Sequence, residues 1–247
     1  MLFRSLINEI FDPGGTGMDW KVNLGAAVLF MLLVISLIAV LAFLILPLAF
    51  HAPARAAGTL PLLYFVALGL GYILVEITFI QRFVLFLGHP TYALTVVIFL
   101  MLLASGAGSL AARRWITLWQ QVRLPLIAII VALAVYCFWL PGFLGRHIGA
   151  ALAVKLLISA AILVPLGFAM GMPFPTGLRA LEGRQAASIE WAWAMNAAAS
   201  VLGSVGAIVI AVHFGLVITL ACGAAAYAAA VGLTHAFGAE SVVPTGL

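Results

Sequence analysis

Long apolar runs separated by short polar punctuation dominate the chain. Seven stretches reach the roughly 20 mostly apolar residues that a membrane-spanning helix needs. They cover about 24–50, 60–88, 91–112, 124–144, 148–172, 189–212 and 216–237. The connections are short and marked by Pro, Gly or charge: "HAPARAAG", "GHP", "RRWITLWQQVRLP", "PGFLGRH", "PFPTGLRALEGR" and "HFG". None of the runs alternates with a period of two, and all are too long for barrel strands. The pattern predicts an all-α membrane protein, a polytopic bundle of about seven transmembrane helices. It divides into an N-terminal loop or stub (1–22), the bundle (23–238) and a C-terminal tail (239–247).

Composition agrees. Of 247 residues, 66% are hydrophobic and only 7% charged. A soluble domain carries nearer a quarter charged residues. The net charge of +4 reflects eleven Lys and Arg against seven Asp and Glu, and cations spread along a membrane protein in this way read as inside-facing loop charge and not as a nucleic-acid surface. Arg55, Arg113, Arg114, Arg123, Arg179 and Arg184 fall on the side reached after the first span. Arg4, Lys21 and Arg146 fall on the other, with Arg82 near it. The arginine-rich side is therefore expected to be cytoplasmic. The chain is expected to cross its membrane many times. Residues 1–20 carry Glu9, Asp12 and Asp19 and lack the apolar core of a signal peptide.

Trp115, Trp119, Trp139, Trp191 and Trp193 lie near span ends, as interfacial anchors do. The five histidines also sit at or near span ends, without ligand spacing. Cys137 and Cys222 lie in apolar runs and read as small buried hydrophobes. Neither a metal nor a cofactor is expected. There is no Walker A, GxGxxG or HExxH pattern, and no GxSxG. The chain shows no catalytic machinery, which leaves enzymatic activity open.

Small residues recur at four-residue spacing: Ala104, Gly108 and Ala112; Ser105 and Ser109; Gly167 and Gly171; Ala199 and Gly203; Ser200 and Ser204. Such rows let helix backbones approach closely in lipid. Pro165 is positioned to kink its helix, and Gly171, Pro173, Pro175 and Gly177 to end it.

The unusual stretch is "GYILVEITFIQRFVLFLGHP", residues 71–90, with Glu76, Gln81 and Arg82 inside an apolar run. Thr59 suits an N-cap and Pro61 a first turn. A helix running from there to Gly88 is about 43 Å long and places Glu76 near its middle. An ionised acid at that depth costs roughly 3 kcal/mol, so it should face the bundle and have a partner. Arg82 lies six residues on, about 240° around the helix, which excludes an intrahelical pair. Gly69, Tyr72 and Phe83 share the Glu76 face. A second polar cluster is "SIEWAWAMNAAAS", 188–200. Ser188 is placed to cap, Glu190 falls in a first turn where the helix dipole favours an acid, and Asn196 lies two turns in, at bundle depth. Lys155, near the start of its span, reads as a snorkelling side chain. The candidate intramembrane polar site is thus Glu76, Asn196, Tyr72, Gln81, Arg82 and Glu190.

Two long segments, "GLGYILVEITFIQRFVLFLGHPTYALTVVIFLMLLASGAGSLAARR" (69–114) and "GMPFPTGLRALEG" with "IEWAWAMNAAASVLGSVGAI" (171–208), resemble the membrane portion of bacterial spermidine-synthase-like integral membrane proteins. That resemblance implies one leading helix plus a six-helix, major-facilitator-like half. "GAGSLAARRW" stands where that superfamily keeps a basic loop, without the Asp-Arg part of its pattern. The resemblance also implies a soluble aminopropyltransferase-like or methyltransferase-like domain, none of whose catalytic residues map onto this chain. Residues 1–20 are where such a domain would join. The expected role is a membrane module that anchors or serves that domain and handles a small cation or polyamine. The alternatives are a stand-alone transporter half that forms a homo-oligomer, or a structural membrane subunit. The expected partners are the lipid bilayer and either the soluble domain or a second copy; no nucleic acid is expected.

Overall fold

The computed structural model describes residues 20–42, 46, 59–182 and 187–237. The elements are α1 (Trp20–Val40), α2 (Thr59–Leu87), α3 (Pro90–Trp115), α4 (Arg123–Arg146), α5 (Leu152–Met170), α6 (Pro173–Leu181), α7 (Ala187–Phe214) and α8 (Leu216–Leu233). Short 3-10 turns at Trp119–Val122 and Thr234–Phe237 complete the set. Six helical segments among the described residues are long and apolar enough to cross a membrane; the fourth joins α5 and α6 as Leu152–Leu181. This is an all-α polytopic bundle. The first expected span, 24–50, is described only in part, and its apolar helix Ala27–Val40 is shorter than a crossing. Six of the seven expected crossings are thus found among the described residues, and the remaining one, 24–50, lies only partly within them.

The boundaries follow local chemistry. Pro90 starts α3, and the His89 side chain caps it by accepting from the Thr91 N–H at 3.3 Å. Gly88 (φ +82°) and Gly215 (φ +88°) supply the left-handed turns that let α2 reverse into α3 and α7 into α8. The helix holding Pro165 is unbroken up to Met170 and ends at Gly171. Beyond Gly171 the chain is not the plain loop expected: "PFPTGLRAL" forms α6, with Pro173 in its first turn. Ser188 does not cap α7, since the helix already begins at Ala187.

Within 59–237 the crossings alternate in direction. One end of the bundle collects the start of α2, the end of α3, the start of α4, all of α6, the start of α7 and the end of α8. Arg113, Arg114, Arg123 and Arg179 lie there. Hydrogen bonds tie this end, among them one from Trp119 Nε1 to the Thr234 carbonyl at 2.8 Å and one from the Tyr64 hydroxyl to the Pro173 carbonyl at 3.0 Å. Trp119 is thus a buried structural residue, 2% exposed, and not the interfacial anchor expected. Trp115, Trp139 and Trp193 do stand exposed near helix ends.

α2 is the central helix. It packs against α7, α8 and α3, while α3 pairs with α5 and α4 with α8. Phe79, Phe83 and Phe86 are fully buried along α2 and meet edge to face, at centroid separations of 6.0 and 5.8 Å. The outer surface is correspondingly apolar, with Phe138, Leu85, Leu110 and Leu157 exposed, as a lipid-facing surface requires.

The small-residue rows make the close contacts. A Cβ on Gly108 would overlap the Phe168 carbonyl, and one on Gly171 would overlap the Ser105 carbonyl. Gly167 faces Ala104 and Met101. The rows of α3 and α5 therefore mate with each other. The row of α7 mates with α2, where Gly203 meets Ile73 and Leu70.

Candidate functional site

The α2 residues divide by face. Gly71 lies against the Tyr227 ring of α8, while Gly69, Leu70 and Ile73 face α7. Tyr72 turns toward Ser105 of α3. At 100° per residue, Glu76 falls between the α7-facing and α3-facing sides, on the same line as Gly69. It stands three residues past the middle of α2, about 4–5 Å beyond the helix midpoint. The carboxylate is half-buried and makes no hydrogen bond or ion pair among the described residues. The Tyr72 hydroxyl is buried, one turn before Glu76 and facing Ser105. An acid and a phenol therefore stand one turn apart at membrane depth, the acid without a partner among the described residues.

Asn196 reaches the same seam from α7. Its backbone carbonyl and side-chain Oδ1 pack against Gly69, where a Cβ would collide with the carbonyl. One turn later, the Ser200 hydroxyl donates to the Asn196 carbonyl at 3.0 Å and lies 3.4 Å from the Gly69 carbonyl. Asn196 and Glu76 thus share one helix seam, about 10 Å apart along it. Gly69 is what admits α7 so closely.

The other expected site residues separate from this pair. Glu190 is exposed in the first turn of α7, roughly 20 Å along the bundle from Glu76. Its place at the helix N-terminus is the electrostatic one expected for a surface acid. Gln81 is half-buried on α2. Arg82 is 8% exposed and does not pair with Glu76. It lines a cavity of about 340 Å³ at the end of the bundle opposite the arginine-rich one. A second cavity, about 210 Å³, lies between α4 and α5 and is lined by Tyr136, Trp139 and Phe143 among others. Neither cavity includes Glu76 or Asn196.

One polar residue escaped the sequence reading. Arg179 of α6 is 9% exposed, and its Nη2 donates to the Ala112 carbonyl at 3.0 Å and to Thr176 Oγ1 at 3.3 Å. It is a second donor to this carbonyl near the C-terminal end of α3, which also accepts the Ile116 N–H at 3.1 Å. The signal was present: Phe174, Leu178 and Leu181 follow Pro173 at helical spacing, which marks a short amphipathic helix and not a loop. Lys155 places its Nζ 5.7 Å from the Phe86 ring centroid, a cation over an aromatic face near a helix start. Among the described residues no group of three His, Cys, Asp or Glu could hold a metal.

Comparison with protein-family models, with curated proteins and with solved structures finds no match to this chain.

Proposed function

We propose that the chain is the membrane-embedded module of a spermidine-synthase-like protein in a bacterial inner membrane, with its arginine-rich end in the cytoplasm. In this reading the bundle anchors a soluble aminopropyltransferase-like domain and holds a small cation, such as a polyamine, at Glu76. The observation that carries it is the Glu76 carboxylate, unpaired among the described residues, one turn from the buried Tyr72 hydroxyl and close to the middle of the central helix. An acid kept at that depth without a protein partner is a site for an external cation. The two segments that carry the resemblance also meet in the fold, through Gly69 with Asn196, Gly171 with Ser105, and Arg179 with Ala112. Asn196 narrows one edge of the seam and gives it a polar wall.

A stand-alone transporter half is the second reading. It draws on the half-exposed position of Glu76 between the α3-facing and α7-facing sides of α2, a face open to a second copy. A purely structural subunit calls for a closed ion pair between Glu76 and an arginine, and none is formed among the described residues.

Spermidine titration into the chain in lipid nanodiscs, followed calorimetrically, tests the proposal. Glu76→Gln should weaken binding at least tenfold, while Glu190→Gln should leave it unchanged. Equal binding by wild type and Glu76→Gln overturns the cation site. Binding that persists in a cross-linked dimer, with uptake into vesicles, favours the transporter reading over the anchoring one.

A further inference from the structure

The cavity at Arg82 is distinct from the Glu76 seam and carries its own chemistry. Arg82 is more than nine-tenths buried, its Nε has no partner, and the side chain makes no hydrogen bond or ion pair among the described residues. A buried guanidinium without a counter-ion is costly unless an anion joins it. The cavity wall supplies a second source of positive potential. Leu216 and Val217, which line it, open the 18-residue helix α8. The first N–H of that region to find a helical acceptor is Thr219, which donates to the Gly215 carbonyl at 3.2 Å. No side chain caps this helix. Its free N–H groups and the positive end of its dipole therefore border the same space as Arg82.

The rest of the lining is apolar and includes Leu144 and Ile148. A free inorganic anion would leave that surface unused. At about 340 Å³ the cavity lies at the small end of ligand sites, roughly 300–1,000 Å³. It has room for a headgroup and the start of an alkyl chain. Depth points the same way. Arg82 stands nine residues past the middle of α2, about 13–14 Å, against a hydrocarbon half-thickness of roughly 15 Å. That is the level at which the headgroups of one leaflet meet their chains.

We infer that the Arg82 cavity, between the ends of α2 and α4 and the start of α8, binds an anionic amphiphile: a phosphate or carboxylate against Arg82 and the α8 N-terminus, with its alkyl chain along the apolar wall. The proposal does not depend on the Glu76 reading. Membrane phospholipid and free fatty acid share this chemistry, and the leaflet concerned is the one at the arginine-poor end.

Native mass spectrometry of the full chain released from detergent tests it, with phosphatidylglycerol, phosphatidylcholine, palmitate and inorganic phosphate as separate probes. One phosphatidylglycerol should bind at least tenfold more tightly than phosphatidylcholine. Arg82→Gln should remove that preference, and Arg146→Gln, on an exposed arginine nearby, should keep it. Gly145 lines the cavity, and no neighbouring atom lies within 4 Å of the position its Cβ would take. Gly145→Phe should therefore fill the space and abolish binding with Arg82 intact, which keeps the test decisive where Arg82→Gln does not fold. Tighter binding of phosphatidylglycerol than of palmitate assigns the ligand to membrane lipid; the reverse assigns it to free fatty acid. Equal binding of the charged and zwitterionic lipids, displacement by inorganic phosphate at matched concentration, or full binding by Gly145→Phe overturns the proposal.

Discussion

Gly106 and Gly108 lie two residues apart on α3, 200° around the helix, and should respond to the same substitution in opposite ways. A Cβ on Gly106 meets nothing within 4 Å. Ala is favoured over Gly in a helix interior by about 1 kcal/mol, so Gly106→Ala should stabilise the fold by roughly 0.5–1 kcal/mol. At Gly108 the same methyl overlaps the Phe168 carbonyl oxygen of α5. The obstacle is backbone, which no rotamer change can move. The two helices must part by roughly an ångström, and the mated row of Ala104, Gly167, Ser105 and Gly171 loses dispersion contact along its length. Overpacking of this kind costs about 1–3 kcal/mol, and a backbone clash belongs at the upper end. Less the propensity gain, Gly108→Ala should destabilise by about 2 kcal/mol, some 30-fold in the folding equilibrium. The assay is reversible unfolding in mixed detergent and denaturant micelles, followed by far-ultraviolet circular dichroism on both variants in parallel. If Gly108→Ala proves as stable as Gly106→Ala, the close approach of α3 and α5 is wrong.

The same unfolding assay checks the remaining predictions. Tyr64→Phe deletes the bond to the Pro173 carbonyl in a fully buried setting and should cost about 1–3 kcal/mol, because the carbonyl is left unpaired. Trp119→Phe removes the bond to Thr234 and should loosen the join between the turn before α4 and the end of α8 by about 1 kcal/mol or more. Glu76→Gln should leave stability unchanged or raise it, by at most roughly 3 kcal/mol, because no partner among the described residues is lost with the charge. A loss of about 3–5 kcal/mol would instead reveal a buried ion pair at Glu76.

Hydropathy alone located most of the described crossings within a few residues, as in 60–88 against Thr59–Leu87, 91–112 against Pro90–Trp115 and 189–212 against Ala187–Phe214, while 148–172 stopped nine residues short of Leu152–Leu181. The physical reason is that a segment in hydrocarbon must satisfy its backbone internally, so length and apolarity leave little choice but a helix. Helix arithmetic likewise suffices to separate Glu76 from Arg82, since 3.6 residues per turn is a local property. It also places Gly69 and Tyr72 beside Glu76. The small-residue rows were legible as contact surfaces for the same local reason.

Partner choice was not legible. A row of Gly, Ala and Ser states that something packs closely and carries no label for what. Only the tertiary arrangement matched Gly108 and Gly171 to opposite helices and set Asn196 against Gly69. It also sent Arg82 into a cavity shared with α4 and α8, turned Trp119 inward, and tied Arg179 to a helix-end carbonyl 67 residues away in sequence. Glu190 lost its place in the polar site because depth along a bundle depends on how two helices are shifted relative to each other. Periodicity and hydropathy, being local, determined that this chain is a bundle of membrane-length helices with an acid near the middle of one of them. Which side chains meet across helices is a non-local matter of complementary shape and charge, and only the assembled bundle decided it.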